Sequence, residues 1–207
     1  MIKQQKHAAE IFIGRIAGHW LVGNLLLAVA YFLTASIGLS LATVPGYATI
    51  VWPASGIALG WILLFGWRLL AGVMLGSFVV NIVNAANHAH IGILEVGWTI
   101  PLLIAMGAAL QAWAGSQLIQ RYVPHLSAFE APRTVIKTLV LGGFVATLIS
   151  ATCGVSTLYF FGVVSGDLWL KNWLTWWLGD SIGVWVFTPM ILVWGLPSAF
   201  YDRARAV

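Results

Sequence analysis

The sequence predicts an all-α polytopic membrane helix bundle of about six transmembrane helices, with both termini in the cytoplasm. Three observations lead there. Apolar residues make up 60% of the 207-residue chain and charged residues only 8%, with a mean hydropathy of +0.93, whereas a soluble domain carries roughly 25% charge. Six apolar runs approach the ~20 residues that a helix needs to cross hydrocarbon. The basic residues, finally, sort to one side when these runs are threaded alternately through a bilayer.

Residues 1–17 place Lys3, Lys6, Glu10 and Arg15 around Ile11, Phe12, Ile13 and Ile16, the pattern of a cytoplasmic amphipathic lead-in lying on the membrane. The apolar runs follow at 18–42, 49–66, 69–86, 97–119, 135–163 and 169–196, within an integral-membrane domain over 18–196. The first is too long for a signal h-region and has no small-x-small cleavage site, so it is expected to remain as the first span. Connections are short except for Gln120–Arg133, which carries Pro124 and Pro132. Residues 197–207 form a cytoplasmic tail. With the N-terminus inside, Lys3, Lys6, Arg15, Arg68, Arg121, Arg133, Lys137, Arg203 and Arg205 all fall on the cytoplasmic side and only Lys171 outside; an odd number of spans would misplace the last two arginines. Trp20, Tyr47, Trp67, Trp98, Tyr122, Trp169 and Trp194 fall near span ends, where amphipathic rings meet the headgroups.

Helices in lipid associate by close packing, which small residues permit. Gly72 and Gly76 in the third span, Ala108, Ala112 and Ser116 in the fourth, and Ala146, Ser150 and Gly154 in the fifth supply them at four-residue spacing. A short internal echo links Trp52-Pro-Ala-Ser-Gly-Ile-Ala-Leu of the second span with Trp177-Leu-Gly-Asp-Ser-Ile-Gly-Val of the sixth. Both spans run from outside to inside, as a duplicated element or a chance likeness would equally allow.

Asp180 is the residue most informative about function. It lies roughly 10–15 Å into the sixth span, where an acid facing lipid costs about 3 kcal/mol. It is therefore expected to face the bundle interior, with Trp173, Trp176, Trp177 and Ser181 as neighbouring donors. Two roles fit: a polar clamp between helices, and a ligand contact or switch. Pro53 and Gly56 are read as a break in the second helix that frees backbone carbonyls beside a pocket lined by Trp52 and Ser55. A simple proline kink is the competing reading. Asn81, Asn84, Asn87, His88 and His90 form a polar outer end to the third span, with Glu95 nearby; no third and fourth ligand appears at metal-binding spacing, so no metal is expected. His19, Asn24 and Gln111 read as hydrogen-bonders between helices. The single cysteine, Cys153, excludes an internal disulfide and reads as a small buried hydrophobe. No P-loop, dinucleotide fingerprint, HExxH or paired nucleophile and base is present. Neither enzymatic activity nor a cofactor is expected, and the small net charge of +4 gives no nucleic-acid patch.

Val51-Trp-Pro-Ala-Ser-Gly-Ile-Ala-Leu-Gly, then Leu64-Phe-Gly-Trp-Arg-Leu-Leu-Ala-Gly-Val-Met-Leu-Gly, Asn81, and later Trp173-Leu-Thr-Trp-Trp-Leu-Gly-Asp-Ser-Ile-Gly-Val with Thr188-Pro189 resemble the first class of bacterial membrane-associated sensor domains, the MASE family. The resemblance marks Trp52, Pro53, Ser55, Gly56, Asn81, Trp177, Gly179 and Asp180 as signature residues. It implies a sensory or interaction module of the bacterial inner membrane that perceives a small-molecule ligand or a membrane partner and signals to an output protein. Such modules precede a histidine kinase, diguanylate cyclase or phosphodiesterase and have about eight spans, so this chain is expected to lack the last two helices and the output domain. By size and topology, the substrate-binding subunit of a vitamin-type transporter and a structural accessory subunit of a membrane complex are the alternatives.

Overall fold

The structure, a computed structural model, describes residues 19–40, 49–89, 97–123 and 131–195. The amphipathic lead-in, the tail, Tyr47, His90, Glu95 and Pro124 lie outside the described residues, as does the side chain of His88. Six helices follow in order: α1 Trp20–Ser40, α2 Pro53–Phe65, α3 Leu70–Ala89 entered through a 3-10 turn at Trp67–Leu69, α4 Thr99–Tyr122, α5 Pro132–Phe160 and α6 Gly166–Gly195. Five of the helical segments are long and apolar enough to cross a membrane; α2 is shorter.

These helices are apolar all round, which places them in lipid. In α1, Leu21, Leu25, Val29, Leu33 and Ile37 form an outward stripe at four-residue spacing, while Leu27, Tyr31 and Ala35 face the core. Contacts close the helices into a ring in the order α1, α3, α4, α5, α6, α2. Across the ring, α2 also packs on α4 and sends Leu59 to Gly115 of α4 and Gly142 of α5.

Small residues make the close approaches, at the expected Gly72 and Gly76 in α3 but in α4 at Gly107 and Gly115 rather than at the row Ala108, Ala112 and Ser116. Side chains at Gly72 and Gly76 would run into the α1 backbone at Asn24 and Ala28, and Gly107 and Gly115 of α4 meet Cys153 and Ala146 of α5. Cys153 is half-buried there and free. Asn24 bonds between helices as expected: its Nδ2 donates to the Trp20 and Arg68 carbonyls at 2.8 and 3.0 Å, and its Oδ1 accepts from the Gly72 N–H. His19 is exposed instead. Odd-numbered helices run one way and even-numbered ones the other. Arg68, Arg121, Arg133 and Lys137 accordingly gather at one end of the bundle, and Lys171 lies at the opposite end.

Two local features depart from regular helix. The break expected within the second span is its beginning: Pro53 occupies the first turn of α2, where its missing N–H costs nothing, and Gly56 leaves the helix intact. Thirteen residues reach only about 20 Å, and a non-helical stretch, Thr49–Trp52, bent at Ile50, leads into them. The second feature is a π-helical stretch in α5, Leu139–Val145. Two indoles of α6 satisfy its carbonyls, Trp185 Nε1 donating to Leu139 at 3.1 Å and Trp177 Nε1 to Phe144 at 3.0 Å. The Phe144 ring packs against both, with centroids 5.5 Å from Trp177 and 4.6 Å from Trp185.

Candidate functional site

The two motifs singled out in the sequence form one parallel seam between α2 and α6. A Cβ on Gly56 would overlap the Gly183 carbonyl, one on Gly183 the Trp52 carbonyl, and one on Gly179 the Thr49 carbonyl. Glycine is thus needed on both sides so that the backbones can touch. Further along, Gly60 meets Ile191 and Gly195 meets Leu64, so the register rises together in both helices. Polar bonds lock the seam: the Trp52 N–H donates to the Gly179 carbonyl at 2.9 Å, Ser55 Oγ to the Asp180 carbonyl at 3.0 Å, and Thr188 Oγ1 to the Gly56 carbonyl at 2.9 Å. Non-helical backbone at membrane depth is tolerated where protein satisfies it, and Gly179 does so for the Trp52 N–H.

Asp180 sits in this seam, 1% exposed, and faces inward as its depth demands. Its Oδ2 is fully enclosed and has no hydrogen-bond partner among the described residues. The carboxyl lines a cavity of about 10 Å³ together with Tyr31, Ser55, Gln111 and Ser150. A second cavity of about 20 Å³ shares Tyr31 and Ser150 with the first and is lined also by Trp52, Ser77, Asn81 and Trp176. One water needs about 10–15 Å³, so these spaces have the size of one or two waters. A ligand of drug or vitamin size needs about 300 Å³ or more.

The sequence-predicted residues divide accordingly. Trp52, Ser55, Asn81 and Asp180 come together around the two cavities. Trp177 and Ser181 face elsewhere: Trp177 bonds the π stretch, and Ser181 Oγ donates to the Trp177 carbonyl at 2.7 Å and lies 3.3 Å from Thr147 Oγ1. Of the expected tryptophans Trp173 is also turned away, donating to Thr152 Oγ1 at 3.1 Å, while Trp176 lies at the cavity and donates to Ser150 Oγ at 3.2 Å. The asparagine cluster does not all lie at the surface: Asn87 is exposed, Asn81 half-buried with Nδ2 2.8 Å from the Ser77 carbonyl, and Asn84 buried with an unpartnered Nδ2. Tyr31, Gln111 and Ser150 enter the site without having been singled out for it. Tyr31 Oη accepts from Trp52 Nε1 at 3.4 Å.

No group of three or more His, Cys, Asp or Glu side chains suited to a metal ion occurs among the described residues. A polar pocket inside a bundle of apolar helices, with the buried acid Asp180 on α6, marks the chain as an integral-membrane helix bundle. The family follows from comparison with known proteins: residues 23–196 match MASE1, and the chain belongs to that family of membrane-associated sensor domains of signalling proteins. No curated protein and no solved structure matches the chain.

Proposed function

We propose that this chain is the input module of a bacterial inner-membrane signalling system, in which the Asp180 pocket is the sensing element and the α2–α6 seam is the part that moves. The observation that carries this reading is the placement of a fully buried carboxyl oxygen, unpartnered among the described residues, in the glycine-lined seam between α2 and α6. A change in what the carboxyl meets alters the packing of α2 on α6 there. The end of α6 at Gly195 lies at the basic, cytoplasmic end, so a shift of α6 reaches the output protein directly. The module acts by conformational change and not by catalysis. The cavities at Asp180, of about 10 and 20 Å³, support a small stimulus at this site over a vitamin-sized ligand.

The test joins the full chain to a diguanylate cyclase reporter and compares the native sequence with Asp180→Asn at equal membrane abundance. Output is expected to change by about fivefold or more, the low end of ordinary allosteric coupling. Equal output from the two chains would defeat the reading.

A further inference from the structure

Three interior spaces line up between one end of the bundle and Asp180. A vestibule of about 220 Å³ opens where α3, α4 and the end of α5 meet, lined by Asn81, Gly97, Thr99, Pro101 and Phe161. Asn81 and Ile104 belong both to this vestibule and to the 20 Å³ cavity. Tyr31, Ala108 and Ser150 in turn join that cavity to the 10 Å³ space at the carboxyl. The vestibule lies at the end opposite Arg68, Arg121, Arg133 and Lys137, which is the outer end by the distribution of positive charge.

The inner space has five oxygen-bearing side chains beside Ala58, Ala108 and Ala112. Asp180 contributes a carboxylate, Tyr31, Ser55 and Ser150 hydroxyls, and Gln111 an amide carbonyl. Tyr31 from α1 is the other titratable side chain that faces Asp180. Ser55 from α2, Ser77 and Asn81 from α3, Gln111 from α4 and Ser150 from α5 do not ionise, and no Lys, Arg or His among the described residues lines either cavity. A negative charge in hydrocarbon requires a positive partner, and the protein offers none here. Oδ2 has no hydrogen-bond partner among the described residues, so the new O–H of a protonated Asp180 would have to donate to whatever fills the space. A particle occupying the space neutralises the ionised carboxylate if it is positive and the size of one water. Hard cations take oxygen ligands, and a single carboxylate matches a single charge better than a divalent ion.

Resting on the reading of Asp180 as the sensing element, we propose that the pocket binds one sodium ion, admitted from the outer vestibule past Asn81. Sodium bound there bridges α1, α2, α4, α5 and α6 and holds the α2–α6 seam in its packed register. Its loss leaves Asp180 without a counter-charge and loosens the seam. Protons compete with sodium for the same carboxylate, so half-saturation requires more sodium as pH falls.

The experiment uses the full chain in lipid nanodiscs with radiolabelled sodium, and measures thermal unfolding in sodium chloride or choline chloride at equal ionic strength. The native chain is expected to retain a single sodium ion above the background of empty nanodiscs and to melt higher in sodium. Asp180→Asn loses the retained ion. Gln111→Leu, which breaks no hydrogen bond among the described residues, stays folded and binds sodium about tenfold more weakly; it decides the matter if Asp180→Asn fails to fold. Equal melting in sodium and choline, a response to pH alone, or retention that survives Asp180→Asn overturns the assignment. If sodium binding fails while Asp180→Asn still changes reporter output, the ion is wrong and the input module stands.

Discussion

Gly183→Ala probes the seam at its tightest point. A methyl group at this position falls on the Trp52 carbonyl and within 2.6 Å of Ser55 Oγ. Neither can swing aside, because the Trp52 carbonyl already accepts from Ser55 Oγ at 2.8 Å and from the Ser55 N–H at 3.3 Å. The helices must separate. Overpacking of this kind costs about 1–3 kcal/mol. Separation also stretches the bonds from Trp52 N–H to Gly179 and from Ser55 Oγ to Asp180, each worth about 0.6 kcal/mol inside a membrane. The sum is about 2–4 kcal/mol, or roughly a 30-fold or greater fall in the folded population. Gly166→Ala is the control, since its new methyl meets nothing nearer than Tyr159 at 3.5 Å. Denaturation by sodium dodecyl sulfate in mixed micelles, followed by tryptophan fluorescence, measures both. A Gly183→Ala protein within about 0.5 kcal/mol of the native chain, the range of a neutral surface change, would refute the close-contact account.

Asp180→Asn keeps the backbone carbonyl that Ser55 bonds and removes a buried charge, so in choline chloride it should melt no lower than the native protein; failure to fold would make the carboxylate an essential clamp. Asn24→Ala strands the Gly72 N–H and releases the Arg68 carbonyl, a loss of about 1–3 kcal/mol in the same titration, and a neutral result would contradict the α1–α3 contact. Gly143→Ala drives a methyl into the Trp185 indole and should cost about 1–3 kcal/mol while shifting the fluorescence of that tryptophan; an unchanged spectrum and stability would mean that the π stretch does not depend on the indole.

The membrane bundle was legible because its cause is local: each span carries its own apolar length, and each connection its own charge. Asp180 stood out for the same reason, since an acid at that depth is costly wherever its neighbours lie. The motifs around Trp52 and Asp180 were visible too, and their likeness hinted at parallel elements. What they do for each other was not legible, because Gly56 and Gly183 explain each other only across 127 residues of chain. Trp177 and Ser181 looked like partners of Asp180 because they adjoin it in sequence; helical rotation turns them towards α5. Tyr31, Gln111 and Ser150 carried no mark beyond being polar in apolar helices, although Ser150 belongs to the small-residue row of α5 that faces α4. The π stretch had a local sign in Gly142-Gly143, but its indole donor at Trp185 lies 46 residues from the carbonyl it bonds.

Cysteine cross-linking across the seam tests the central arrangement most directly. A Cβ on Gly60 lies 3.0 Å from the Ile191 Cβ, so a slight parting of the helices brings the pair to the roughly 3.5–4.5 Å that a disulfide spans. In a Cys153→Ala background, Gly60→Cys with Ile191→Cys should oxidise rapidly in native membranes, whereas Gly60→Cys with the lipid-facing Met190→Cys should not. No bond in the first pair, or equal bonding in both, would contradict parallel packing of α2 on α6 in this register.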